Sequence, residues 1–222
     1  MIGFVPFTLA TLLLPVAASS ACPNMGRAQV QVSINAADPT YDTSMTQEEL
    51  TTGFANNPDS TLTTEGGWHL AGLTLSNIQN AFAAGYEQAL WPDGSGCIQM
   101  TELSIDLVYT PVIYIAADHM HNQCRYTVTL AHEQRHVGTD LQVFNDYAPR
   151  MQAALTAFVN RLGPQGPFPP GQIQAAQDAL LAQVEAAAEP MMEQLIETRR
   201  ERQAVFDTQS NYLREGALCQ GE

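Results

Sequence analysis

From Tyr126 to Leu162 the apolar residues fall at Leu130, Val137, Leu141, Phe144, Ala148, Met151, Leu155, Phe158 and Leu162. The gaps are mostly three and four, the stripe of a helix that buries one side against another helix. Gly163 to Gly171 is dense in proline and glycine and reads as a stiff turn. A second helical pattern runs from Gln172 to about Val205, with Leu180, Val184, Met191 and Leu195 on its seam. The two patterns predict a helical hairpin. Pro149 and Pro190 are expected to kink or interrupt it, because the ring clashes with the preceding turn and no N–H remains to donate.

Near the head of the first helix stands His132-Glu133-Gln134-Arg135-His136. Residues four apart project from one face of a helix, so the two imidazoles could hold one metal ion. Glu133 would sit beside them, where a general base is needed. His132 and His136 lie off the seam, so helix packing does not consume them. Of the other histidines, His119 and His121 read as a surface loop rather than a second metal site.

The first half of the chain reads differently. Gln29 to Ile34 alternates as a half-buried strand does. Thr46 with Glu49 has the spacing of a capping box opening a short helix. Residues 57–67 read as loop, and Trp68 to Leu75 as a strand. Ser76 resembles a helix start, with Ile78, Phe82, Tyr86 and Leu90 at helical spacing. Trp91 to Gly96 is a turn. Cys97–Tyr109 and Val112–Ala116 are rich in β-branched residues and read as two strands, with a polar loop at 117–125. The expected fold class is therefore α+β. A small N-terminal sheet with short helices (22–125) precedes a long helical hairpin that carries the histidines (126–222).

Residues 1–21 form a short apolar stretch ending in small residues, expected to be a signal peptide cleaved near Ser20 or Ala21. Export would make the protein periplasmic or secreted. Ser19 disfavours a lipid anchor at Cys22, and no other segment is apolar enough to span a bilayer. The four cysteines, at 22, 97, 124 and 219, then read as two disulfides. Three pairings are possible; Cys97–Cys124 with Cys22–Cys219 is the expected one. Nine basic residues against 23 acidic ones give a formal charge of −14, which argues against nucleic acid or an anionic membrane as partner.

A catalytic zinc usually takes three protein ligands and leaves one position for water. A turn centred near residue 167 would return residues 197–207 to the level of the histidines. That window contains Glu197, Glu201 and Asp207. Asp140, one turn beyond His136, reads as a supporting or surface residue. Thr139 and Gln142 stand where the astacin and matrixin pattern has Gly and His, so the chain is not of that kind.

The segments Thr129–Val137 and Val205–Tyr212 resemble a bacterial family of exported proteins that are read as zinc proteases. Its members join a small β-containing half to His-Glu-x-x-His on a long helix, a second long helix, and a closing Tyr-Asp-x-x-Thr-x-His-Gly. The resemblance covers about residues 95–219. Phe206 stands for Tyr, Asp207 matches, Ser210 stands for Thr, and Tyr212 stands where the family has His. It implies a zincin-like domain; if the family's third ligand is that His, this chain uses another oxygen for zinc, and Asp207 is the choice. Tyr212 is then an alternative ligand or a hydrogen-bond donor to the oxyanion.

These readings converge on an exported zinc metallopeptidase acting on peptide or protein substrates. His132, His136 and Asp207 would hold zinc, Glu133 would be the general base, and Tyr212 would assist. An extended substrate would add to the Val112–Ala116 strand, taken as an edge. The competing reading is a non-enzymatic exported binding protein with a degenerate or structural metal site. Oligomeric state is open.

Overall fold

The structure, a computed structural model, describes residues 21–54 and 69–220. The expected signal peptide, the 57–67 loop and Trp68 lie outside the described residues, apart from Ala21.

The fold is mixed α/β. A five-stranded sheet is assembled around one very long strand, with the two long helices packed against it. β1 (Gln29–Ala36) and the short β2 (Thr40–Asp42) are followed by α1 (Gln47–Phe54). Thr46 and Glu49 form the expected reciprocal cap of α1: the Thr46 N–H donates to Glu49 Oε2 (2.7 Å) and the Glu49 N–H to Thr46 Oγ1 (3.2 Å). β3 (Gly72–Leu90) and β4 (Gly96–Ile115) then form an antiparallel hairpin about the expected Trp91–Gly96 turn. Gly94 adopts a left-handed φ of 81° in that turn.

Two sequence readings are corrected here. Residues 76–90 are strand, not helix. Ile78, Phe82, Tyr86 and Leu90 are spaced by four, and four is also two full periods of a strand, so the same residues share one face either way. Cys97–Tyr109 and Val112–Ala116 are also one strand. Pro111 lies within it opposite Ser76, without breaking it.

β4 is the axis of the sheet. β1 pairs with it in parallel from Gln29↔Glu102 to Ala36↔Tyr109, and β2 continues along the same flank at Val112–Tyr114. β3 covers the other flank along nearly its whole length. Val112–Ile115 is thus an interior segment rather than the edge assumed for substrate. The β3–β4 register shifts after Gly85: Gly85 faces Glu102 and Tyr86 faces Met100. The residue skipped is Thr101. The bulge moves the inward face from odd positions (Leu103, Ile105, Leu107, Tyr109, Ile113, Ile115) to even ones (Ile98, Met100), and all of them are buried.

A single 3₁₀ turn (Ala117–His119) leads into α2 (Gln123–Leu162), so the 117–125 segment is only partly loop. α2 continues through Pro149, and α3 (Ile173–Ala204) through Pro190. Both prolines are exposed, as are Asn145 and Ala186 four residues before them. The carbonyls that lose their partners therefore belong to solvent-facing residues. The buried seam alongside holds the helices in place. Val137, Phe144, Ala148, Met151 and Leu155 of α2, with Leu180, Val184 and Leu195 of α3, join β4 in one core. The 163–171 segment contains a strand, β5 (Gln165–Phe168), which pairs with β4 at Gly96 and Ile98. The last helix among the described residues is α4 (Gln209–Ala217), capped by Thr208.

The disulfides are Cys22–Cys97 and Cys124–Cys219, not the expected pairing. The topology explains why. β1 runs parallel to β4, so the chain preceding β1 lies beside the Cys97 end of β4. Cys124 begins α2, just after the opposite end of the same strand, and cannot reach Cys97. α4 instead brings Cys219 back to it.

Candidate metal centre

The N-terminal half of α2, residues 205–215 and the start of β3 meet at one end of the sheet. Asn211 on α4 donates to the backbone carbonyls of Val205 (2.9 Å) and Phe206 (3.1 Å), which fixes the bend carrying Asp207. There His132 Nε2, His136 Nε2 and Asp207 Oδ1 form a triangle. The imidazole nitrogens lie 3.0 Å apart, and each is 3.2 Å from the carboxylate oxygen. His132 and His136 are buried, and the Asp207 side chain is 13% exposed. These three residues form a group that could hold a metal ion.

The triangle fits one. Bonds of about 2.0–2.1 Å in a tetrahedral site place its ligand atoms about 3.3 Å apart. The outer ring nitrogens have partners of their own, as ligating histidines usually do. His132 Nδ1 lies 2.9 Å from Glu215 Oε2, and Glu215 is also engaged by Arg135. His136 Nδ1 meets Gln203 Oε1. The Tyr212 hydroxyl donates to Asp207 Oδ1 at 2.7 Å, and its ring lies against His132.

The group is electrostatically tight. Burial disfavours a charged His136 ring, but the hydrogen bond and charge of Asp207, with Glu133, outweigh it and push its pKa up to about 9. His132 is raised against the same burial, by Asp207 and Glu133. Burial opposes ionisation of Asp207, yet the two imidazoles and Tyr212 hold it far below the usual carboxylate range. Burial, then Asp207, drives the Tyr212 hydroxyl far up.

Glu133 is held beside the group, under the start of β3. Thr74 Oγ1 lies 2.8 Å from Glu133 Oε2 and 3.2 Å from its backbone carbonyl. Glu133 is 5% exposed, and burial raises its pKa although both histidines and Thr74 oppose this. A Cβ on Gly72 would meet Thr129 Cγ2 at 2.6 Å and Glu133 Oε1 at 2.7 Å. Only glycine lets the strand pass this close.

The residues expected from the sequence therefore separate. His132, His136, Asp207, Tyr212 and Glu133 converge. Glu197 and Glu201 are exposed, and Glu197 pairs with Arg200. Asp140 is neither ligand nor surface residue but fully buried behind His136. His119 is buried against Thr129 (3.2 Å) while His121 is exposed, so the pair does not converge. Sequence reasoning missed Gly72, Thr74, Gln203 and Glu215. For Gly72 a signal existed, a glycine inside a strand pattern; for the others there was none. Comparison of the chain with family models, with curated proteins and with solved structures finds no match.

Proposed function

We propose that the protein is an exported zinc metallopeptidase with a zincin-like arrangement, its motif carried on a helical hairpin. The observation that carries this reading is the triangle of His132 Nε2, His136 Nε2 and Asp207 Oδ1, with Glu133 one residue from the first histidine. Two imidazoles and one carboxylate are a donor set suited to zinc and leave a coordination position open. Zinc there would supply Lewis acidity, polarising a carbonyl and making water a stronger acid.

The chain's own groups do the rest. Glu133 accepts a proton from the attacking water and returns it to the leaving amine. Thr74 holds the Glu133 carboxylate in place from β3. The Tyr212 hydroxyl, on the rim of the triangle, turns from Asp207 Oδ1 to donate its one proton to the carbonyl oxygen as negative charge develops there. An extended peptide is expected to lie along β3, which among the described residues pairs with β4 alone. Export is supported by the apolar leader in the sequence and by two disulfides, which persist in oxidising compartments. Among the described residues no helix is long and apolar enough to cross a membrane.

The burial of the histidines beneath residues 205–215 favours a second reading, a binding protein whose metal is structural. Two measurements separate them. The purified protein should carry close to one zinc and cleave members of a broad peptide library. Glu133→Gln should keep the zinc and lose about 10²–10⁴-fold in cleavage. Zinc without cleavage in the wild type selects the binding protein, and undiminished cleavage by Glu133→Gln removes the mechanism.

A further inference from the structure

Behind His136 lies a buried polar chain that the reaction does not use directly. Asp140, four residues on along α2, is fully buried and accepts on both oxygens. Arg199 Nε donates to Oδ1 at 2.7 Å; the Tyr109 and Ser76 hydroxyls donate to Oδ2 at 2.9 and 3.0 Å. Gln203, itself buried, stands between Asp140 and His136. Its Nε2 meets Asp140 Oδ1 and the His136 backbone carbonyl (3.0 Å), and its Oε1 meets His136 Nδ1.

The direction of that amide is dictated by its surroundings. Turned over, it would set Oε1 against a carboxylate and a carbonyl, two acceptors facing a third with no proton among them. Such contacts are costly where no water can intervene. The NH₂ must therefore face Asp140, and Oε1 must face the imidazole. An oxygen there demands a proton on Nδ1. A neutral ring with its proton on Nδ1 has its lone pair on Nε2, the atom turned toward Asp207 and His132.

We infer that Gln203, oriented by the Asp140–Arg199 pair, is a positioning residue that fixes the tautomer of His136 and so reserves Nε2 for a metal. This rests on the metal reading of the centre. On its outer nitrogen His132 is served separately, by Glu215; on their inner side the two rings share Asp207 and each other.

The test is nitrogen-15 NMR of labelled histidines in the full, metal-free protein under alkaline conditions that leave the rings neutral, together with cobalt(II) and zinc titrations. In the wild type His136 should carry its proton on Nδ1. In Gln203→Met, close in volume, Asp207 Oδ1 is the acceptor left to His136, so the His136 proton should shift toward Nε2 while His132 keeps its own tautomer. Metal affinity should fall about 10–100-fold. A general loosening of the site would instead move both histidines. A wild-type His136 protonated on Nε2, or a Gln203→Met protein with unchanged tautomer and affinity, overturns the inference. Should Gln203→Met fail to fold, the wild-type spectrum alone decides. A wild type that binds neither metal ends the metal reading, and the tautomer of His136 still decides the role of Gln203.

Discussion

Gly72 and Glu133 are in such close approach that a single methyl group between them would lie 2.7 Å from Glu133 Oε1. Gly72→Ala must push the carboxylate, the Thr129 methyl or the strand aside. Overpacking of this kind costs about 1–3 kcal/mol. The variant should melt earlier and, because Glu133 is displaced, cleave more slowly while still holding zinc. Wild-type melting and turnover would show that β3 yields freely at this point.

The ligand set gives a second expectation. Asp207→Ala should weaken zinc binding at least about tenfold, taking the lower bound for loss of a supporting group as a floor. Tyr212→Phe, which removes only a hydrogen bond to the same oxygen, should weaken it less. Calorimetric titration ranks them, and the reverse order would make Tyr212 the ligand.

Protons and metal compete at the triangle. The folded-state pKa of His136 is about 9, above its ordinary 6.5. A raised histidine pKa contributes stability that is fully present below about pH 6.5 and is lost as pH rises through 9. The metal-free protein should therefore lose stability across that window, by on the order of 3 kcal/mol at most, read as a falling melting temperature. Zinc must displace the same protons, so its affinity should rise over the window, with proton release visible as a buffer-dependent heat. A zinc affinity flat between pH 6.5 and 9 would contradict the pairing of His136 with Asp207.

The two disulfides should have separable effects. Each closes a long loop, 75 and 95 residues in sequence, worth up to about 4–5 kcal/mol in the loop-entropy description. Replacing Cys22 and Cys97 by Ser should lower melting and leave zinc affinity alone. Replacing Cys124 and Cys219 should also loosen α4, which sets Tyr212 and Glu215 against the site, and so lower zinc affinity at least about tenfold. Equal loss of zinc in both variants would mean that the site depends on global stability rather than on the α4 tether.

The long helices and the histidine pair were legible in the sequence because a period of 3.6 with residues four apart leaves a strong mark. Asp207 was reachable because the turn near residue 167 sets the level to which the chain returns. The strand at 76–90 was not, since a spacing of four is shared by helix and strand and only pairing with β4 decides it. The disulfide partners depend on the direction in which β1 runs beside β4, which local pattern does not encode. Gln203 and Glu215 were invisible for a similar reason: a glutamine and a glutamate on exposed-looking helical turns gain their meaning only from the imidazoles that face them.

β4 extends from the disulfide-anchored turn region at Gly96 to the neighbourhood of Glu133 at Ile115, a run of about 65 Å at the usual strand rise. α2 matches it at about 60 Å. The Cys22–Cys97 disulfide thus lies at the opposite end of one beam from the triangle, and Cys124–Cys219 at the same end as it. A dye, a surface linker or a fused partner placed in the Asp93–Gly94 turn would hold the molecule by its far end and leave the end that carries the triangle unencumbered, a natural geometry for immobilised assays and for single-molecule work.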